Sequence, residues 1–152
     1  MPYLGRVDMG EAILSDMGEI AESVLSELPK NFGGVSLDEY IVMPNHIHAI
    51  ISINEISNAQ TSSNDVPCSR GLINQTPTNW PLMTDKRQTL GKIIRHFKAK
   101  TSRLIHRRGH RLFGWQRNYY EHIVRNNHEL DAIRLYIRLN PANWRMDELF
   151  EH

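Results

Sequence analysis

An α+β fold, with helices packed on an antiparallel sheet, is predicted by three features of the 152-residue chain. Two β-type runs are joined by a short Pro-Asn turn, an amphipathic helix precedes them, and two more helical stretches follow. The first helix starts where Ser15 can cap a turn holding Asp16 and Glu19. Met17, Ile20, Ala21, Val24, Leu25 and Leu28 recur on one stripe until Pro29 ends it. After Gly33 and Gly34, residues 35–43 and 46–53 read as strands of a hairpin about Pro44-Asn45. Residues 54–85, rich in Asn, Ser, Thr and Pro without sustained periodicity, read as a long surface loop.

A second helix runs from a Thr89 cap to Gly109. Leu90, Ile93, Ile94, Phe97, Thr101, Leu104 and Ile105 lie on one stripe, and Lys92, Arg95, His96, Lys100, Arg103 and Arg107 lie broadly opposite. Residues 112–116 suit a last strand. Residues 119–140 suit a closing helix with a break at Asn126-Asn127, stopped by Pro141. The whole forms one domain, without internal repeats.

Composition excludes several classes. No stretch approaches the ~18 consecutive apolar residues of a membrane span, and the first residues lack the basic-then-apolar order of a secretory signal, so an intracellular, cytoplasmic protein is expected. The single cysteine, Cys68, allows neither an intrachain disulfide nor a zinc knuckle and reads as a spare loop thiol. The net charge of +1 conceals a segregation: residues 86–120 carry eleven bases and no acid, whereas residues 1–85 carry eleven acids and three bases. Eleven uncompensated cations in one segment repel one another, and a polyanion such as nucleic acid relieves that cost.

Two constellations carry chemistry. Because side chains alternate along a strand, His46 and His48 share one face while Ile47, Ala49, Ile51 and Ile53 take the other. Their Cβ atoms then lie ~7 Å apart, from where two imidazoles can converge on one metal ion. The same pattern also suits histidines half-buried for packing. In WQRNYYEHIVRN, Tyr119 at a helix start would sit near N-terminal dipoles, with His122 three residues on along the same face. Adjacent tyrosines also serve simply as packing residues.

YIVMPNHIHAIISI resembles the HUH signature of single-tyrosine HUH transposases. WQRNYYEHIVRN and the later YIRLNPANW are similar to the tyrosine helix and closing NP motif of the REP-associated branch. The likeness spans residues 10–144. It implies a ferredoxin-like HUH domain that cuts single-stranded DNA at hairpin-forming repeats, leaving a 5′-phosphotyrosine and a free 3′-hydroxyl. His46 and His48 would bind Mg²⁺ or Mn²⁺. Tyr119 would be the nucleophile, with Tyr120 in reserve, and His122 or Glu121 would complete the ligand set. Lys92, Arg95, Lys100, Arg103, Arg107 and Arg117 would contact DNA, two copies would hold two DNA ends as a homodimer, and the protein would associate with the nucleoid. Family members carry a further N-terminal strand ahead of the segment resembling residues 8–18, so the expected sheet lacks it. That difference keeps a second reading open, a catalytically weak relic that still binds hairpin DNA. A hydrolytic metalloenzyme using His46, His48 and His122 on a small substrate is a third reading, which the cationic block disfavours.

Overall fold

The computed structural model describes residues 3–54 and 89–144. The expected loop at 54–85, with Cys68, lies outside them except for Asn54. The described chain is α+β, with two small antiparallel sheets and four helices.

Strand β1 (Gly5–Asp8) pairs with β2 (Glu11–Leu14), in register from Gly5 opposite Leu14 to Asp8 opposite Glu11. The two-residue loop Met9-Gly10 has positive φ at both positions (49° and 83°), the twist that a tight hairpin requires and that glycine supplies without strain. Ser15 then caps helix α1 (Asp16–Ser26): its Oγ accepts from Gly18 N at 3.3 Å and donates to Tyr3 O at 2.7 Å. Pro29 does not simply end the helical region. It occupies the first turn of a short helix, α2 (Leu28–Asn31), where a missing N–H costs nothing.

Strand β3 (Val35–Val42) pairs with β4 (Ile47–Ile53), as the sequence predicts, with one irregularity between Leu37 and Tyr40. Helix α3 (Leu90–Arg107) begins at the expected Thr89 cap, whose Oγ1 accepts from Lys92 N at 3.3 Å. It ends in a Schellman motif, with Gly109 at φ 97° and the His110 N–H donating to Ile105 O. Its buried positions Ile93, Phe97, Thr101 and Ile105 recur every fourth residue. They join Leu4, Val24, Leu25, Leu28, Val35 and Val42 in the core. Helix α4 (Asn127–Leu139) packs on β3 and β4, and Arg134 and Arg138 pair with Asp38 and Glu39 of β3.

Three expectations are corrected. Among the described residues the strands form two separate two-stranded sheets rather than one, because β1–β2 is a hairpin of its own. Residues 112–116 form no strand: their alternation serves Phe113 and Trp115, which pack on each other, and Trp115 also packs on Phe97 of α3. Backbone carbonyls there are taken by α3 side chains, Phe113 O by His106 and Gln116 O by Lys98, both at 2.9 Å. The last helix starts at Asn127, not Tyr119. Asn126 Oδ1 caps it by accepting from Glu129 N at 2.8 Å, and the Glu129 carboxylate accepts from Arg125 N, so the preceding backbone is turned away from helix. Tyr119 is therefore not at a helix start.

Candidate functional site

The turn joining β3 to β4 is anchored from both sides. Met43 is fully buried, its N–H donates to His46 O at 2.9 Å, and Leu4 N donates to Pro44 O at 2.9 Å. On this fixed turn His46 Nδ1 lies 2.7 Å from Asn45 Oδ1. A carboxamide oxygen only accepts, so Nδ1 carries the proton and the His46 Nε2 lone pair faces outward. It faces His48: the two Nε2 atoms are 2.9 Å apart, and the ring planes cross at 79°. Ile47 and Ile51 pack against the core, whereas His48 meets α4 across the opposite face, as strand alternation predicts.

Helix α4 and the turn after it close the site. Tyr136, 53% exposed, sets its ring edge-to-face with His48 at 5.3 Å between centroids. Asn140, buried at 3% exposure, brings its carboxamide nitrogen 3.5 Å from His48 Nε2. Trp144 stacks on His46 with centroids 5.8 Å apart. Tyr136 and Asn140 are four residues apart, so one helix face delivers both. Two imidazole nitrogens each ~2.1 Å from one ion and at right angles would lie ~3.0 Å apart. The observed 2.9 Å separation fits such a donor pair.

The remaining predicted residues lie elsewhere. His122 Nε2 is 2.7 Å from Glu129 Oε1, and among the described residues no three His, Cys, Asp or Glu side chains gather at one point that could hold a metal ion. The Glu129 carboxyl is held below its ordinary range, first by the Arg125 N–H and then by His122. Tyr119, 44% exposed, has its hydroxyl 3.5 Å from where a Cβ on Gly91 would sit, against the first turn of α3. Tyr120 and Glu121 are exposed. Arg95, Arg103, Arg107 and Arg117 are exposed, Lys92 is half-buried, and Lys100 is ion-paired with Glu27, the residue after α1.

Sequence reasoning missed Tyr136 and Asn140 as site residues, although YIRLNPANW was among the motifs it singled out. Their i, i+4 spacing was the available signal.

No protein-family model matches the chain, and no solved structure matches it. An uncharacterized protein of Haemophilus influenzae (strain ATCC 51907 / DSM 11121 / KW20 / Rd) is 34% identical over 146 residues, covering 96% of this chain and 76% of its own length.

Proposed function

The chain belongs to the same family as that uncharacterized Haemophilus influenzae protein, and from the likeness of its motifs to single-tyrosine HUH transposases, taken together with its side-chain geometry, we propose a metal-dependent single-strand DNA endonuclease and strand-transferase of the HUH type, acting on hairpin-forming repeats. The observation that carries the reading is Tyr136 set against His48, whose Nε2 faces that of His46 at 2.9 Å. His46 and His48 would hold Mg²⁺ or Mn²⁺ through Nε2, with the Asn140 carboxamide beside them, its nitrogen 3.5 Å from His48 Nε2. Bound there, the ion would polarise the scissile phosphate.

The chain supplies the rest. Asn45 fixes the His46 tautomer, and Trp144 limits rotation of that ring. Tyr136 presents a half-exposed phenol from the last turns of α4. Attack by its Oη forms an O–P bond and breaks the bond from phosphorus to the 3′ oxygen. The phenol gives up one proton and the 3′ oxygen takes one, so the step needs no water and no oxidant. The phosphotyrosine ester keeps the bond energy for rejoining. Tyr119, the phenol that the family likeness favours, is the competing nucleophile.

The test is a denaturant-resistant protein–DNA adduct with Mn²⁺ and a single-stranded hairpin substrate. Tyr136→Phe should abolish the adduct and Tyr119→Phe should retain it; the reverse pattern would return the role to Tyr119. His46→Ala and His48→Ala should stop cleavage while hairpin binding persists, because the cationic face of α3 supplies the affinity. A parent protein that binds hairpins and forms no adduct would instead be the non-cutting binder.

A further inference from the structure

Between α3 and α4 the described chain has no regular structure, yet it is pinned at both ends. Lys98 Nζ donates to Gln116 O at 2.9 Å and to Asn118 O at 2.5 Å, and Asn118 turns the chain at φ 64°. Downstream, Glu129 holds the His122 ring and the Arg125 N–H. Between these anchors Tyr119 leans on Gly91, and Tyr120 stands 92% exposed. An aromatic ring held by a fixed backbone and left almost wholly in water contributes little to folding.

Its surroundings are cationic. Gly91 and Lys98, which meet Tyr119 and Asn118, are seven residues apart on one helix face, and the exposed Arg95 lies between them. Arg117 is exposed three residues before Tyr120. The stretch from 86 to 120 holds no acid that would compete with a phosphate.

We propose that Tyr120 is a stacking platform for an unpaired nucleobase of single-stranded DNA, whose phosphates run past Arg95 and Arg117. The proposal rests on the reading of this chain as a protein that acts on single-stranded DNA, and it adds a base-binding position apart from the His46–His48 site. The backbone is already ordered by Lys98 and Glu129, so stacking has only the side chain's own rotamers left to fix. A duplex offers no unpaired face and gains nothing from the ring.

The experiment measures equilibrium binding of a labelled mixed-sequence single strand of about a dozen nucleotides to the full chain in EDTA, where cleavage cannot intervene. Tyr120→Ala should weaken binding about tenfold and Tyr120→Phe should bind like the parent, because the ring and not the hydroxyl does the stacking. Both should keep the parental salt slope, whereas Arg117→Gln should lower it by about one unit. An abasic strand should bind parent and Tyr120→Ala alike, and a duplex should not distinguish them. Parental affinity in Tyr120→Ala, an equal loss on duplex, or a loss in Tyr120→Phe as large as in Tyr120→Ala would each overturn the proposal. A parent that fails to bind the single strand would overturn it together with the DNA reading. Tyr120-dependent binding by a protein that forms no adduct would leave it standing while the catalytic reading fell.

Discussion

Two cations on α3 that look alike in the sequence differ in what they face. Lys100 is half-buried and ion-paired with Glu27, whose carboxyl it holds below the ordinary range by hydrogen bond and charge; Arg103 is exposed. An occupied ammonium releases no counterion from DNA, so Lys100→Gln should leave the salt dependence of DNA binding unchanged, while Arg103→Gln should lower its slope by about one unit. Equal slopes for the two variants would mean that Glu27 surrenders Lys100 when DNA arrives. Because the folded-state pKa of Glu27 is depressed, its contribution is complete above the usual carboxylate value of 4.5 and fades as pH falls through the lower folded value. The same reasoning about neighbours applies to Asn45. It orients His46 from behind, and removing such an orienting group weakens metal binding by roughly 10–100-fold. Calorimetric titration of Asn45→Ala with Mn²⁺ should show a loss of that order, with the histidines intact.

Element boundaries were legible where one side chain decides them. Ser15 and Thr89 were readable as caps because each precedes a clear apolar stripe, and the Pro44-Asn45 turn separates two unmistakable strand runs. The break at Asn126-Asn127 before α4 was legible as well, but not that the chain ahead of it is non-helical. Ile123 and Val124 extend an apparently helical pattern upstream, and only the carboxylate of Glu129, reaching back to Arg125 N and His122, shows that the chain turns there. The helix drawn from Tyr119 placed that phenol near N-terminal dipoles, whereas the start at Asn127 leaves it outside α4 and puts Tyr136 in the last turns of the helix. Residues 112–116 misled for a related reason: alternating Phe113 and Trp115 suit a strand, but the face that they fill belongs to α3. The β1–β2 hairpin escaped notice because its four-residue strands are too short to show a period. If Asn126 and Glu129 define the start of α4, Asn126→Ala should cost about 1 kcal/mol in denaturant unfolding. Acidification through the depressed pKa of Glu129 should fray the same turn, visible as a loss of amide protection, taken relative to the intrinsic exchange rate at each pH, at Arg125 and Glu129. Protection that stays constant down to that pH would contradict the assignment.

At the scale of the molecule, the two hairpins are coupled through residue Leu4. It is 2% exposed, its N–H donates to Pro44 O at 2.9 Å, and its carbonyl accepts from Ser15 N at 2.9 Å. That carbonyl lies against Gly18 in α1, where an added Cβ would stand only 2.0 Å from the oxygen. Two effects therefore oppose each other in Gly18→Ala. Alanine gains about 1 kcal/mol of helix propensity over glycine, but a methyl group placed inside a carbonyl oxygen must push a whole backbone segment, not a flexible side chain. Overpacking of that kind costs about 1–3 kcal/mol and sometimes more. Because the obstacle is main chain, the upper end applies and the net should be a destabilisation of about 2 kcal/mol, or roughly 4–8 °C in Tm. The displacement has a direction. Pushing Leu4 away from α1 strains its bond to Pro44, the turn that carries His46, so Mn²⁺ affinity should fall in the same variant although Gly18 has no part in the site. Ala21→Gly, elsewhere in the same helix, should lower Tm through propensity and packing yet leave Mn²⁺ affinity at the parental value under conditions where both proteins are folded. A Gly18→Ala protein with lowered Tm and unchanged Mn²⁺ affinity would show that the N-terminal hairpin stabilises the fold without positioning the histidines.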